Sequence, residues 1–182
     1  MILSASGWRK VFAESGNEND FSEEIGKDNR ILCVHIAENF ASFLKEQTKK
    51  RTPSVTVAKD TRPTGKQISQ IFIKALFNSG IKVHYIGTAS APEIMAYSRC
   101  TDGFVYISAS HNPVGHNGIK FGLNDGGVMD GEKSKLLIKQ FNERLSAVNA
   151  VSHAEEVLSI PDSKIQKIIK KAQDIKNDSL KY

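Results

Sequence analysis

The chain has 182 residues, a formal net charge of +5 and a sequence pI of about 9.1. Hydrophobic residues make up 40% of it, and a chain of this length and composition can bury a globular core. No apolar run is long enough to span a membrane, and the start at Met1 lacks the basic region of a secretory signal peptide. Two widely spaced cysteines, Cys33 and Cys100, favour free, buried thiols in a reducing cytoplasm over a disulfide.

Strand and helix patterns alternate along the chain. Residues 2–12 predict a strand broken by a turn at Ser6-Gly7, and apolar residues at helical spacing predict a long helix over 28–50. The following patterns predict further strands and helices. They are a strand over 54–58, a helix over 64–79 with Thr64 as its N-cap, a strand over 81–86, a helix over 92–99, strands over 103–107 and 119–123, and a helix over 131–145. This alternation predicts a three-layer α/β/α sandwich with a mixed, mostly parallel sheet.

The chain changes character after this pattern. We expect one domain over residues 1–148, and a linker with a basic amphipathic helix over residues 149–182. Residues 161–182 contain six lysines and three aspartates, a net charge of +3, and isoleucines recur there at helical spacing. The helix could contact a membrane surface or nucleic acid. We favour a connector helix that packs its isoleucines on a neighbouring domain.

A serine motif follows the strand over 103–107. It consists of Ser108-Ala109-Ser110-His111-Asn112-Pro113, and Asn117-Gly118-Ile119-Lys120 comes shortly after it. The strand delivers Ser110 to the carboxyl edge of the sheet, where open α/β sheets bind their ligands. Such a serine can carry an acyl group, carry a phosphoryl group or satisfy a turn. The glycines of a nucleophile elbow are absent around Ser110, which disfavours acyl chemistry.

The two motifs resemble the active-site loop of the α-D-phosphohexomutases, the phosphoglucomutases and phosphomannomutases. That loop typically has Thr-Ala-Ser-His-Asn-Pro followed by Asn-Gly-x-Lys, and Ser108 stands here in place of the threonine. Three further stretches resemble family motifs in the expected order. They are Ser4–Arg9 (Gly-Thr-Ser-Gly-x-Arg), Val55–Arg62 (a strand ending in Gly-x-Asp-x-Arg, with Ala58 for the glycine) and Gly80–Ile94 (with Ala91-Pro92 for Thr-Pro). The resemblance spans roughly residues 4–145.

The resemblance implies a phosphoryl transfer between C1 and C6 of a hexose phosphate, through a phosphoserine and a sugar bisphosphate. It implies Ser110 as the phosphoryl carrier, Lys120 as the acid/base, Arg9 as a phosphate ligand and His111 as a hydrogen-bonding group beside the serine. Supporting roles around substrate and loop fall to Ser108, Asn112, Asn117, Gly118, Asp60 and Arg62, of which we expect the last two to hold the loop.

The same resemblance implies a Mg²⁺ ion that contacts the phosphate on Ser110, and an activator of the glucose 1,6-bisphosphate type. The partners it implies are a hexose phosphate and the remaining mutase domains, with no nucleic acid and no membrane. The family's magnesium, sugar and phosphate loops lie in later domains, and their motifs do not occur in this sequence. We therefore expect this chain to be the first domain of a cytoplasmic mutase, inactive alone, with the sugar left open.

Simpler interpretations stand beside these roles. Lys120 lies in an alternating run and could merely occupy the polar face of a strand. Arg9 could stack or pair at the surface beside Trp8, and His111 could hydrogen-bond locally. The chain as a whole could also be a stand-alone sugar-phosphate-binding module without turnover, or an interaction domain that works through its basic tail. A P-loop around Gly65-Lys66 is excluded, because Asp60 and Gln67 occupy required positions.

Overall fold

A five-stranded sheet lies at the centre of the computed structural model, which describes residues Met1–Tyr182. The strands are β1 (Trp8–Val11), β2 (Ser54–Lys59), β3 (Lys82–Thr88), β4 (Gly103–Ile107) and β5 (His116–Leu123), in the spatial order β1-β5-β4-β2-β3. β2 runs parallel to β3 and β4, whereas β5 runs antiparallel to both β4 and β1. The mixed α/β sandwich is confirmed, with two of its four strand pairs parallel.

Seven α-helices flank the sheet. They are α1 (Gly26–Thr48), α2 (Gly65–Asn78), α3 (Ala91–Tyr97), α4 (Gly131–Leu145), α5 (Ala150–Leu158), α6 (Gln166–Lys170) and α7 (Ala172–Ser179). The helices predicted before residue 146 all form, and their ends agree with the sequence pattern to within two residues. None of the seven combines the length and apolar character that a membrane-spanning helix requires.

The core lies on both faces of the sheet, and the central strand β4 is apolar and buried along its whole length. Successive side chains of β4 point to opposite faces, so Val105 and Ile107 join the larger core, and Phe104 and Tyr106 join the smaller one. Helices α1, α2, α4 and α5 contribute buried side chains to the larger core, and α3 contributes to the smaller. This burial on both faces makes β4 a rigid support for the residues that follow it.

The C-terminal tail differs from the single connector helix that the sequence predicts. It forms α5, which packs on α1 and α2, then a 3₁₀ turn (Asp162–Lys164), and then α6 and α7, which lie against the edge strand β3. Ile165 is buried in the larger core, and Ile175 packs against the smaller core on the other face. The isoleucines therefore pack on this domain's own sheet. The expectation that they pack on a neighbouring domain is wrong, since periodicity shows which residues are buried but not their partners.

The two cysteines are free. Cys33 is fully buried in α1, as expected, but Cys100 is exposed at the end of the 3₁₀ turn after α3, so the prediction of two buried thiols is wrong for Cys100. Cys100 is exposed because it lies in a connecting turn. Residue type alone does not place a cysteine in the core.

Candidate active site

Ser110 lies at the tip of a turn directly after β4. Its side chain is exposed, and its backbone has a φ of +56°, the left-handed conformation that non-glycine residues seldom adopt. The Ser110 amide donates to Ser108 Oγ over 3.3 Å, and Ser110 Oγ lies 3.4 Å from His111 Nδ1. Strained backbone of this kind persists only where the surroundings enforce it. The turn thus holds the Ser110 hydroxyl out towards solvent at the carboxyl edge of the sheet.

Arg62 supplies that enforcement. Its Nη2 donates to the carbonyl oxygens of Ser110 (2.8 Å) and Asn112 (2.6 Å), and its Nη1 donates to those of Pro113 (2.5 Å) and His116 (3.2 Å). The Arg62 side chain is only 11% exposed. One guanidinium therefore binds four carbonyl groups of the serine loop, which is the fixed fork that only arginine presents.

Asp60 holds Arg62 in turn. The Asp60 carboxylate lies 3.4 Å from Arg62 Nε and accepts the Arg62 amide over 3.0 Å, and the Asp60 amide donates to Ile107 on β4. The two residues lie at the end of β2, beside the end of β4. The parallel pairing of β2 with β4 thus brings together two motifs about fifty residues apart. The contacts of Asp60 and Arg62 hold the serine loop in place.

Asn117 and Gly118 connect the loop to β5 and α2. Gly118 accepts from the Ser108 amide over 2.8 Å, and a Cβ at Gly118 would lie 2.6 Å from the Ser108 carbonyl oxygen, so a larger residue does not fit. Asn117 is fully buried, and its Nδ2 donates to Thr64 Oγ1 over 3.1 Å. Thr64 occupies the predicted N-cap position of α2, but its hydroxyl bonds Asn117 and makes no capping bond to the helix. Thr64 is therefore the N-cap residue of α2, as predicted, and its hydroxyl holds Asn117 instead of the first turn of the helix.

Lys120 and Arg9 lie near each other on neighbouring strands. Arg9 on β1 pairs with Gly118 on β5, two residues before Lys120 and on the same face. A Cβ on Gly7 would lie 3.0 Å from Lys120 Cγ and 3.9 Å from Arg9 Nη2, so this turn runs between them. Lys120 Nζ lies 5.8 Å from the centre of the Tyr106 ring. The two cations are therefore held beside one another, half-buried, under the turn.

This environment changes the acidity of Lys120. Burial lowers the pKa of its ammonium group below the ordinary value, the Arg9 guanidinium lowers it further, and the Asp60 carboxylate offsets part of the effect. A lysine with a lowered pKa releases and accepts protons more readily near neutral pH, as an acid/base residue must.

We expect Lys120 to become reactive towards an amine reagent at lower pH than an exposed lysine, because only the unprotonated amine reacts. Lys139 on α4, whose side chain is 74% exposed, is the reference within the same chain. Competitive labelling with mass spectrometry should give a lower midpoint in the rate-against-pH curve for Lys120. The Arg9→Met substitution should move that midpoint upwards, since it removes a positive charge. An unchanged midpoint would contradict the electrostatic role of Arg9.

A cleft of about 590 Å³ opens over the serine loop. Its lining includes five residues predicted from the sequence, namely Ser108, Ser110, Asn112, Asp60 and Arg62. Arg9 lines an adjoining cleft of about 450 Å³ that also contacts Asn112. His111 lies at the exposed tip of the turn, and Lys120, Asn117 and Gly118 lie on β5 beneath it. The structure thus groups the predicted residues at one sheet edge, with five of them around a single cleft.

Comparison with known proteins assigns the family. Residues 5–147 match phosphoglucomutase/phosphomannomutase, alpha/beta/alpha domain I. The chain belongs to this family.

Relatives of this domain I include a phosphoglucosamine mutase of Psychrobacter arcticus, 32% identical over 86% of this chain and 32% of the relative. A phosphoglucosamine mutase of Lactiplantibacillus plantarum is 35% identical over 63% of this chain and 24% of the relative. A solved phosphoglucomutase/phosphomannomutase family protein from Burkholderia thailandensis shares the fold, with a TM-score of 0.60, 22% identity, and coverage of 78% of this chain and 30% of that one. The chain spans about a third or less of the length of these relatives.

The residues of domain I do not by themselves form a metal site. No group of three or more histidine, cysteine, aspartate or glutamate side chains converges anywhere in the 182 residues. Mg²⁺ prefers several oxygen ligands in an octahedral arrangement, so the site as it stands does not fit the ion. A phosphate on Ser110 is the contact that this domain could offer, and no step below depends on the metal.

Four residues that line the cleft were not predicted as site residues from the sequence, namely Phe21, Thr61, Pro63 and Val114. Phe21 and Val114 line it together with Ser110. Val114 lies within the serine loop, whereas Phe21 belongs to a polar segment about ninety residues earlier, with no motif around it. Neither periodicity nor spacing marks such a residue, and only the folded chain shows its position.

Proposed function

We propose that this domain I carries the phosphoserine of a phosphohexomutase, an enzyme that moves a phosphoryl group between C1 and C6 of a hexose phosphate through a sugar bisphosphate. The position of Ser110 is the main support. Its hydroxyl is exposed at the tip of a strained turn, inside a cleft, and its backbone is held by Arg62. A serine that merely satisfied a turn would not need this support. The family match to residues 5–147 adds to the proposal.

The transfer needs accurate positioning more than covalent chemistry from the protein. In the proposed step a sugar hydroxyl oxygen forms a bond to phosphorus while the bond from phosphorus to Ser110 Oγ breaks. The hydroxyl proton passes to the Lys120 amine, and Ser110 Oγ leaves with the bonding electrons and takes up a proton. The lowered pKa of Lys120 suits this role. The reverse step regenerates the phosphoserine from the other phosphoryl group of the bisphosphate.

Several side chains around Ser110 can bind the negatively charged phosphoryl group. Arg9 is a cation beside Lys120 and would hold phosphate oxygens through charge-assisted hydrogen bonds. His111 Nδ1 lies 3.4 Å from Ser110 Oγ and can donate to an oxygen held there. Asn112 and Ser108 add polar groups to the same cleft. We propose these as the residues that bind the transferring group, with Asp60, Arg62, Asn117 and Gly118 holding the loop.

For the substrate we propose a hexosamine phosphate, because the relatives described above carry the name phosphoglucosamine mutase. We further propose that the complete enzyme uses Mg²⁺ and an activator of the glucose 1,6-bisphosphate type. Its partners would be the remaining mutase domains, and its location the cytoplasm. The mild positive charge of the chain suits a phosphorylated substrate.

A domain chimera tests the proposal. Residues 5–147 of this chain would replace the corresponding domain of the Psychrobacter arcticus phosphoglucosamine mutase, and turnover of glucosamine 6-phosphate would be measured. We expect turnover in the chimera and a loss of about a thousandfold or more in kcat for Ser110→Ala, because no other group accepts the phosphoryl. Ser146→Ala removes an exposed hydroxyl at the end of α4, outside the cleft, and is the matched control, with no loss of kcat expected.

Mass spectrometry of the chimera gives a second readout. After incubation with a hexose 1,6-bisphosphate, phosphate should be found on Ser110 and be absent from the Ser110→Ala variant. An active chimera that keeps its turnover without Ser110, or a phosphoryl group on another residue, would refute the proposal. Binding of the sugar phosphate without turnover or phosphorylation would favour the binding-module alternative.

A further inference from the structure

The cleft over Ser110 contains an aromatic ring with no partner in the fold. Phe21 and Val114 are its two hydrophobic lining residues, and the other seven include Ser108, Ser110 and Asn112. Phe21 is 77% exposed, although full burial of a phenylalanine side chain is worth about 1.5–3 kcal/mol. An aromatic side chain that lines a cleft together with a few polar groups is the arrangement typical of a small-molecule site.

The segment that carries Phe21 is attached to the serine loop at Gly115. The Gly115 amide donates to the Glu18 carbonyl oxygen over 2.7 Å, and the Gly115 carbonyl accepts from the Phe12 amide over 3.0 Å. A Cβ on Gly115 would lie 2.4 Å from the Asn17 carbonyl oxygen, so the two segments approach as closely as glycine allows. Because they share this anchor, Phe21 keeps a defined position relative to the turn five residues before Gly115.

Hydrogen bonds on either side also hold the Phe21 segment itself. Asp20 accepts from Ser15 Oγ over 2.5 Å and from the Ser22 amide over 2.8 Å, so both carboxylate oxygens are engaged next to Phe21. Ile25, four residues later, is fully buried in the larger core. The ring is therefore presented to the cleft before any ligand arrives, which reduces the entropy cost of binding.

A hexose phosphate matches this arrangement in its chemistry. It has a charged phosphate at one end, and its ring has a face of C–H groups that is apolar. We propose that Phe21 packs on this C–H face of a hexose phosphate bound at Ser110, and so determines that the site accepts a sugar phosphate in preference to phosphate alone. The inference rests on the proposed function and adds the residue that recognises the ring.

The affinity of the 182-residue chain for two probes tests this inference. Backbone amide NMR signals of residues 108–120 would be followed during titration with glucosamine 6-phosphate and, separately, with inorganic phosphate. Phe21→Ala should raise the Kd for the sugar phosphate about five- to tenfold, the loss expected when part of one aromatic contact is removed. The Kd for inorganic phosphate should stay within about twofold, since the ring does not contact it.

Two further variants serve as controls. Phe77→Ala removes another exposed phenylalanine, 42% exposed at the end of α2 and outside the cleft, and should leave both affinities unchanged. Phe21→Trp keeps an aromatic surface and should retain sugar-phosphate binding. Equal loss for both probes in Phe21→Ala would show a structural effect on the loop, and this result overturns the inference.

The outcomes separate the inference from the proposed function. If glucosamine 6-phosphate shifts the signals of residues 108–120 but binds Phe21→Ala as tightly as the unchanged chain, the inference alone is wrong. If neither probe shifts those signals, the isolated chain does not bind a phosphosugar at Ser110 and the inference fails, whereas the proposed function is decided by turnover and phosphorylation of the chimera. A Kd that rises for the sugar phosphate alone supports both.

Discussion

Arg62→Ala should lower the free energy of unfolding by about 2–4 kcal/mol and release the serine loop, because four carbonyl groups lose a charged donor at once. The strained conformation of Ser110 is expected to relax, since the carbonyl of Ser110 is itself one of the four acceptors. Urea denaturation measures the stability, and hydrogen exchange of residues 108–118 measures the loop. In the chimera described above, the same substitution should lower kcat by at least about a hundredfold through lost positioning.

Two substitutions control for the loss of charge. Arg51→Ala removes an exposed arginine in the turn before β2 and should change stability by no more than about 0.5 kcal/mol. Arg62→Lys keeps the charge but has a single nitrogen on a flexible stem, so it cannot reach four carbonyl groups and should recover only part of the loss. Full recovery by lysine would show that charge alone holds the loop, and would refute the role of the guanidinium fork.

Gly122→Ala should destabilise the domain by about 3 kcal/mol, because the added methyl group has no room. A Cβ at Gly122 would lie 2.0 Å from Phe104 Cε1 and 2.2 Å from the carbonyl oxygen of Gly127. Phe104 is 1% exposed in the smaller core, so it cannot move aside, and Gly122 pairs directly with it across β4 and β5. The same β5 carries Gly118 and Lys120, so the site should be disturbed together with the strand.

Gly131→Ala is the matched control for this overpacking. Gly131 begins α4, and a Cβ there would meet no atom within 4 Å. The free energy of unfolding of the Gly131→Ala variant should stay within about 0.5 kcal/mol of that of the unchanged chain. Urea midpoints for the two variants decide the matter, and a Gly122→Ala midpoint equal to that of Gly131→Ala would contradict the close approach of β4 and β5.

Much of the fold follows from local sequence patterns. The long helix α1 has an apolar period close to 3.6, α4 begins and ends where its sequence pattern does, and β4 is a short apolar run bounded by polar residues. These elements depend on hydrogen bonds within a segment or on burial of a whole strand, which a single stretch of sequence encodes. The motif around Ser110 is likewise local, so its place after β4 was predictable.

The tail shows where that reasoning ends. The isoleucine spacing indicates burial but is compatible with any apolar surface, and the chain uses its own sheet near β3. Lys176 Nζ then lies 2.5 Å from Glu93 on α3, and Ser179 Oγ donates to the same carboxylate. Partial burial opposes ionisation of Glu93, but the bonds from Lys176 and Ser179 lower its pKa overall. No pattern within residues 161–182 identifies Glu93 as the partner of α7.

The sequence by itself determined the alternation of strands and helices, the serine motif and the residues able to carry phosphoryl chemistry, because these depend on neighbours along the chain. Only the tertiary structure decided that Arg62 binds four loop carbonyls, that Arg9 lies beside Lys120, and that Phe21 lines the same cleft as Ser110. In each case, strand pairing or the anchor at Gly115 brings the residues together. These arrangements arise because segments distant in the chain pack together, and residue type and spacing within one segment do not show which segments will pack.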